Sequence, residues 1–323
     1  MEIHKGHTWS GLAWCRTAPV AAEMIVGRDV TGRLVEIIEH VISAPCEGVL
    51  VEPVGGGRAG VLVLAGSSGR VDTERCRVLA RAGLTALSIR WFGGDGQAPG
   101  ICEIPLETFV AVIDLLRGTV RGRIGALGLS KGAEAALLLA VHDPRVDAVI
   151  ALSPTSVVWA NVGPGVDGVR HPYRSSWTWQ GEPVPFVPYD DSWTPADPEG
   201  EPVSLRPLYE QSRRTFADAA GAAVIPIERS AAQLVLVAGG DDLMWPSLTF
   251  ARELAARCAS AGRPATLVTS SDAGHRPRLP GEGPADPSDR FRYGGTVEAD
   301  AALGAAAWPQ VVAALVGDPG VSG

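Results

Sequence analysis

The chain has 323 residues, 46% of them apolar and 20% charged, with a formal net charge of −8. That suits one α/β domain with an insertion, and an acidic balance with no block of Lys or Arg argues against nucleic acid or an anionic membrane as partner. No run of about eighteen apolar residues occurs and the start, MEIHKGHTWSGLAW, holds no unbroken apolar stretch, so neither a membrane span nor an export signal is expected.

The five cysteines (Cys15, Cys46, Cys76, Cys102, Cys258) are odd in number and lack metal-ligand spacing, which points to reduced thiols in a cytoplasmic protein without a metal. Residues 1–32 carry little pattern and are read as an N-terminal extension, followed by a single domain over 33–318. Leu34 to Ile42 and Gly48 to Val51 form a leading hairpin with its turn at Ala44 to Glu47. Then come a strand at Val61 to Ala65, a helix from about Thr73 to Ala82, a strand at Thr85 to Ile89, and a helix from about Leu106 to Arg117. Strands alternating with helices predict a mostly parallel sheet covered on both faces.

The segment Ile124 to Ala140, IGALGLSKGAEAALLLA, is an apolar strand running through GLSKG into an Ala/Leu helix. That is the layout of a nucleophile elbow, a tight turn that lifts a serine hydroxyl, here Ser130, above the sheet edge. Gly128 and Gly132 leave room for the turn. Another strand follows at Ala148 to Leu152, and the alternation then breaks. From about 155 to 230 the chain is rich in Pro, Gly, Trp and Tyr without periodicity, which is read as a cap over an active site, with a partner-binding surface as the competing reading. The pattern resumes with a strand at Leu234 to Ala238, a helix from about Pro246 to Ala261, a strand at Ala265 to Val268, and a helix from about Glu298 to Leu315.

A serine nucleophile on this layout needs an acid and then a histidine later in the chain. Of six histidines only His275 lies beyond the strand Leu234 to Ala238, just after the last predicted strand. That strand ends in GGDDLMWPS. Asp242 is preferred over Asp241 as the acid because it closes the turn, which leaves Asp241 to cap the following helix. Asp272 is assigned to loop stabilisation. The oxyanion hole requires two backbone donors, one from Lys131 and one from Ser67 or Ser68, with Gly66 allowing close approach. The Lys131 side chain is expected to be solvated or salt-bridged rather than on substrate. Glu134 is either a loop anchor or a solvated helix carboxylate.

Seven segments appear in order: IRWFG at 89–93, IPLETF at 104–109, GLSKGAE at 128–134, IPIERS at 225–230, GGDDLMWPS at 239–247, AGH at 273–275 and YGGTVEADAALGAAAW at 293–308. Together they make the chain, from about residue 40 onward, resemble the C-terminal catalytic domain of the type I acyl-CoA thioesterase and bile acid-CoA:amino acid N-acyltransferase family. The resemblance implies an α/β-hydrolase fold, a triad of Ser130, Asp242 and His275, and an acyl-CoA or acyl-carrier-protein thioester as substrate. No cofactor is called for. Family members usually carry an immunoglobulin-like domain before the hydrolase domain, and with only about forty residues before the match that domain is expected to be absent. Amino-acid-conjugating members use cysteine as nucleophile, so Ser130 favours hydrolysis. Transfer to an amine or alcohol, carboxylester hydrolysis and a catalytically silent binding protein are the competing functions. Trp91, Phe92, Trp177, Trp179 and Trp245 are candidates for lining an acyl site, and Arg90, Arg276 and Arg278 for meeting CoA phosphates.

Overall fold

The computed structural model describes residues 21–43 and 46–317. Its first three strands form an antiparallel meander: β1 (Ala21–Arg28), β2 (Leu34–Ile42) and β3 (Gly48–Pro53). Next come β4 (Gly60–Leu64), α1 (Thr73–Arg81), β5 (Thr85–Ile89), a short β6 (Ile104–Pro105) and α2 (Glu107–Thr119). The elbow strand β7 (Ile124–Leu129) leads into α3 (Lys131–His142) and β8 (Ala148–Leu152).

The insertion contributes β9 (Trp177–Trp179), β10 (Glu182–Pro183), α4 (Arg206–Thr215) and α5 (Ala217–Ala222). The chain closes with β11 (Gln233–Gly239), α6 (Ser247–Ser260), β12 (Thr266–Ser270) and α7 (Val297–Val316).

Nine strands make one sheet in the order β1-β2-β3-β5-β4-β7-β8-β11-β12, parallel from β5 onward. Strands β4, β5 and β8 are buried at every position, as expected where helices cover both faces and no residue alternates toward water. One apolar core joins α2, α3, α6 and the insertion to one face. The other packs α1 and α7 on the opposite face. This is a mostly parallel α/β sheet of the α/β-hydrolase type, with the elbow after β7.

The structure adds β1, which the patterning does not announce. Met24 and Val26 are 62% and 59% exposed, so β1 is held by its ladder to β2 rather than by a buried face, and hydrophobic alternation carries no trace of it. The predicted hairpin turn includes residues 44 and 45, which, like Cys15, lie outside the described residues. Cys46, Cys76, Cys102 and Cys258 are unpaired thiols.

The segment read as an aperiodic cap is folded and packs into the core shared with α2, α3 and α6. A second sheet, β10-β9-β6, ties it to the start of α2, and Trp159 and Trp177 are both 0% exposed. Strands of two or three residues are too short for a period to show. Helix α7 has the length and composition of a membrane span, yet Leu303, Ala307, Val311 and Leu315 pack in the core beneath the sheet.

Candidate active site

Ser130 stands between β7 and α3 with φ 57° and ψ −121°. This is a strained conformation for a residue with a Cβ, and such strain persists where surrounding packing over-determines it. Here the packing is backbone on backbone: a Cβ on Gly128 would strike the Gly132 carbonyl, and one on Gly132 the carbonyls of Leu64 and Ala65. Only glycine permits the turn at those two places.

The acid and histidine come from the loops after β11 and β12. His275 Nδ1 lies 2.8 Å from Asp242 Oδ2, with the two residues 3% and 0% exposed. Asp242 Oδ1 accepts the N–H groups of Met244 and Trp245 at 2.9 and 3.2 Å, so every polar edge of this buried carboxylate is used. A hydrogen on Nδ1 leaves His275 Nε2 as the acceptor nitrogen. Ser130 is joined to this loop system through β8. Its N–H donates to Leu152 O at 3.0 Å, and the hydroxyl of the next residue, Ser153, donates to His275 O at 2.9 Å. Among the described residues Ser130 Oγ has no hydrogen-bond partner, so the serine-to-imidazole contact is open in this conformer.

Asp241 takes a different role from the predicted helix cap. Its Oδ2 accepts the Gly295 N–H at 2.7 Å, while α6 starts with no side-chain cap. Among the described residues Asp272 accepts from its neighbour Ser271 alone, at 2.8 Å.

Lys131 opens α3, where a helix leaves its first N–H groups without intrahelical acceptors. The 66–69 turn lies beside it: a Cβ on Gly66 would sit 3.2 Å from Ser130 Cβ. Ser67 and Ser68 are exposed on that turn. The structure thus brings the 66–69 turn, at Gly66, against the serine.

The aromatic candidates divide. Phe92 packs under the turn, within 2.9 Å of where a Gly69 Cβ would be. Trp91, Trp177 and Trp245 are at most 2% exposed and are core side chains rather than an acyl-site lining. Trp91 packs against Phe92, Phe109 and Trp177, and Trp245 sits edge-on to His275 and donates to Ser153 O at 3.1 Å. Trp179 stacks on His142 at 4.5 Å, at the far end of α3 from Ser130. Composition alone does not separate a tryptophan that packs from one that binds.

Of the basic candidates, Arg90 is committed to Glu47 and Arg278 to Glu74. Arg276 lies 3.8 Å over the Tyr293 ring and donates to Asp286 O. Among the described residues no group of three His, Cys, Asp or Glu side chains has metal-binding proximity.

Three positions not singled out from sequence hold this site together. Ser153, itself at φ 45°, joins β8 to the His275 and Trp245 loops. Tyr293 O accepts from His275 N at 2.9 Å and from Leu243 N at 3.4 Å, clasping the two loops. Asp300, on α7, accepts the Gly274 N–H at 2.7 Å. The signals were present, as a serine ending a buried strand and an acidic residue in the first turn of a helix, but neither is specific.

Burial raises the Asp300 pKa, opposed by the Gly274 N–H and by the nearby Arg276 and His275, with Asp242 adding to the rise. A raised carboxylate opposes folding above its folded pKa, and that opposition is relieved as pH falls through it and gone below the unfolded value near 4. Asp300→Asn keeps an acceptor for Gly274. It is expected to be at least as stable as the parent at pH 7, with the difference shrinking toward pH 4, as read by urea denaturation across pH. A variant less stable at pH 7 would contradict this account.

The chain is similar to several known proteins. Rat acyl-coenzyme A thioesterase 1 is 24% identical over 235 residues, covering 70% of this chain and 50% of that protein. Mouse bile acid-CoA:amino acid N-acyltransferase is 25% identical over 233 residues, covering 71% and 51%. The chain thus spans about half the length of the curated relatives it matches. Among solved structures, the acetyl xylan esterase from Paenibacillus sp. R4 aligns with a TM-score of 0.46 at 18% identity, over 80% of this chain and 84% of that one. With its family model matched over residues 104–316, more than half of its length, the chain belongs to the BAAT / Acyl-CoA thioester hydrolase C terminal family.

Proposed function

We propose that the protein hydrolyses an acyl thioester, carried by CoA or an acyl carrier protein, through an acyl intermediate on Ser130. The observation that carries this reading is the buried 2.8 Å contact between Asp242 and His275 on the loops beside a strained serine. His275 Nε2 accepts the Ser130 proton as Oγ bonds to the thioester carbonyl carbon, and Asp242 stabilises the imidazolium. The negative charge that develops on the carbonyl oxygen is met by the Lys131 N–H and a donor of the 66–69 turn. The C–S bond then breaks, His275 returns the proton to the departing sulfur, and the acyl group remains on Ser130. Water, deprotonated by His275, attacks the ester carbonyl, and its breakdown releases the carboxylic acid and restores the serine.

A second reading, transfer of the acyl group to an amine, is favoured by the match to an N-acyltransferase at the same level of identity. One experiment addresses both. Thiol release and intact protein mass are followed with a panel of acyl-CoA and acyl-carrier substrates, with and without amino acid acceptors. The expected result is a mass increase of one acyl group on Ser130, with free acid as product. An acceptor conjugate in place of free acid would establish transfer. No adduct and no thiol release across the panel would reject both readings, and turnover of simple esters alone would mark a carboxylesterase.

A further inference from the structure

Lys131 and Glu134 stand one helical turn apart at the start of α3, and both are inside the protein, 2% and 0% exposed. Lys131 Nζ donates to Glu134 Oε2 and to Ser176 Oγ, each at 2.8 Å, and lies 5.5 Å from the centre of the Trp177 ring. Glu134 Oε1 accepts the Trp159 N–H at 3.1 Å and Trp177 Nε1–H at 2.8 Å. Ser176 Oγ passes the chain on to Ala160 O at 2.9 Å. Both charges are therefore spent on residues 159–177 of the insertion, and none of their contacts reaches solvent.

A buried ion pair is a poor device for stability alone, because desolvating two charges offsets most of their attraction and a well-packed apolar pair serves as well. Its advantage is direction. Salt-bridge and hydrogen-bond geometry fixes angles that apolar contact leaves loose. Lys131 shares its Cα with the N–H that follows the nucleophile, so whatever anchors its side chain also sets the aim of that N–H. Burial lowers the lysine pKa and the Glu134 carboxylate beside it counters the shift.

Resting on the reading of Ser130 as nucleophile, we infer that Lys131 and Glu134 are positioning residues that lock the oxyanion-binding turn of the elbow to the 159–177 strap. The strap is then a fixed wall of the active site rather than a lid that swings away.

The test uses Lys131→Met, Glu134→Gln and the double variant. Each single change leaves a buried group without its counter-charge and is expected to lower the melting temperature. The double variant removes both charges, while the amide introduced by E134Q keeps an acceptor for the two tryptophans, so the melting temperature is expected to recover. Its kcat is expected to stay about tenfold to hundredfold below the parent, with KM within about threefold, because a misaimed donor weakens only transition-state binding. Inactivation by a fluorophosphonate, which also develops a negative oxygen at this turn, should slow in step.

A double variant with recovered stability and parental kcat would overturn the inference and leave a purely structural ion pair. A raised KM with unchanged kcat would overturn it too. If turnover survives Ser130→Ala, the reading of the site fails and this inference with it, whereas serine-dependent turnover indifferent to the double variant sinks the inference alone.

Discussion

Ser130→Ala is expected to lower kcat by about 10⁴- to 10⁶-fold, the range found when the nucleophile of a serine triad is removed. The protein should otherwise keep its fold. Among the described residues the Ser130 hydroxyl has no hydrogen bond to lose, and alanine needs no more space in a turn already shaped by Gly128 and Gly132. Thiol release from an acyl-CoA, followed beside a melting curve, separates the two effects. The acyl adduct seen by intact mass should vanish with the activity. Turnover within about tenfold of the parent would mean that another residue attacks the substrate.

Asp242→Asn is expected to cost nearly as much, about 10⁴-fold in kcat. The carboxylate takes hydrogen bonds on both oxygens, two from the backbone and one from His275 Nδ1. An amide in its place keeps the backbone contacts with its oxygen and turns its NH₂ toward the imidazole. That favours the tautomer with hydrogen on Nε2, which cannot take the serine proton. The neighbouring change Asp241→Asn serves as control. Asp241 holds Gly295 and does not touch His275, so its effect on kcat should stay within about tenfold. Equal losses in the two variants, measured under saturating substrate, would assign the acid wrongly.

The alternation of buried strands and helices was legible in the sequence because apolar runs bounded by Gly, Pro and polar turns have few other interpretations. Strand β5 and the elbow fall where the pattern puts them, and the helices agree to within about two residues. His275 followed from chain order once Ser130 was set on an elbow, Asp242 was chosen over Asp241 by its place in the turn, and the two do meet. What escaped was anything decided by partners rather than by period. Strand β1 is a ladder without a buried face. Helix α4, RPLYEQSRRT, is almost wholly polar and buries little beyond Tyr209 and Ser212. Glu134 stood open between anchor and solvated carboxylate because both readings require the same residue on the same helix, and only the arrival of Trp159 and Trp177 decides between them. The aromatics of the insertion misled for a similar reason. Their number suggested a binding wall, and most of it packs into the core that the insertion shares with α2, α3 and α6.

The small sheet β10-β9-β6 carries a consequence for protein engineering. Strand β9 pairs with Ile104 and Pro105, which precede α2 and lie some seventy residues upstream, and the tryptophans beside it close on the first turn of α3. The insertion therefore has no interior of its own to carry elsewhere. A chimera that exchanges residues 155–230 with those of a relative, in the hope of importing a new acyl preference, would separate Trp177 from Trp91 and Phe109, and Trp159 from Glu134. Transplanting specificity would mean moving the 89–109 segment and the head of α3 along with it, so the natural unit of exchange is discontinuous in the chain.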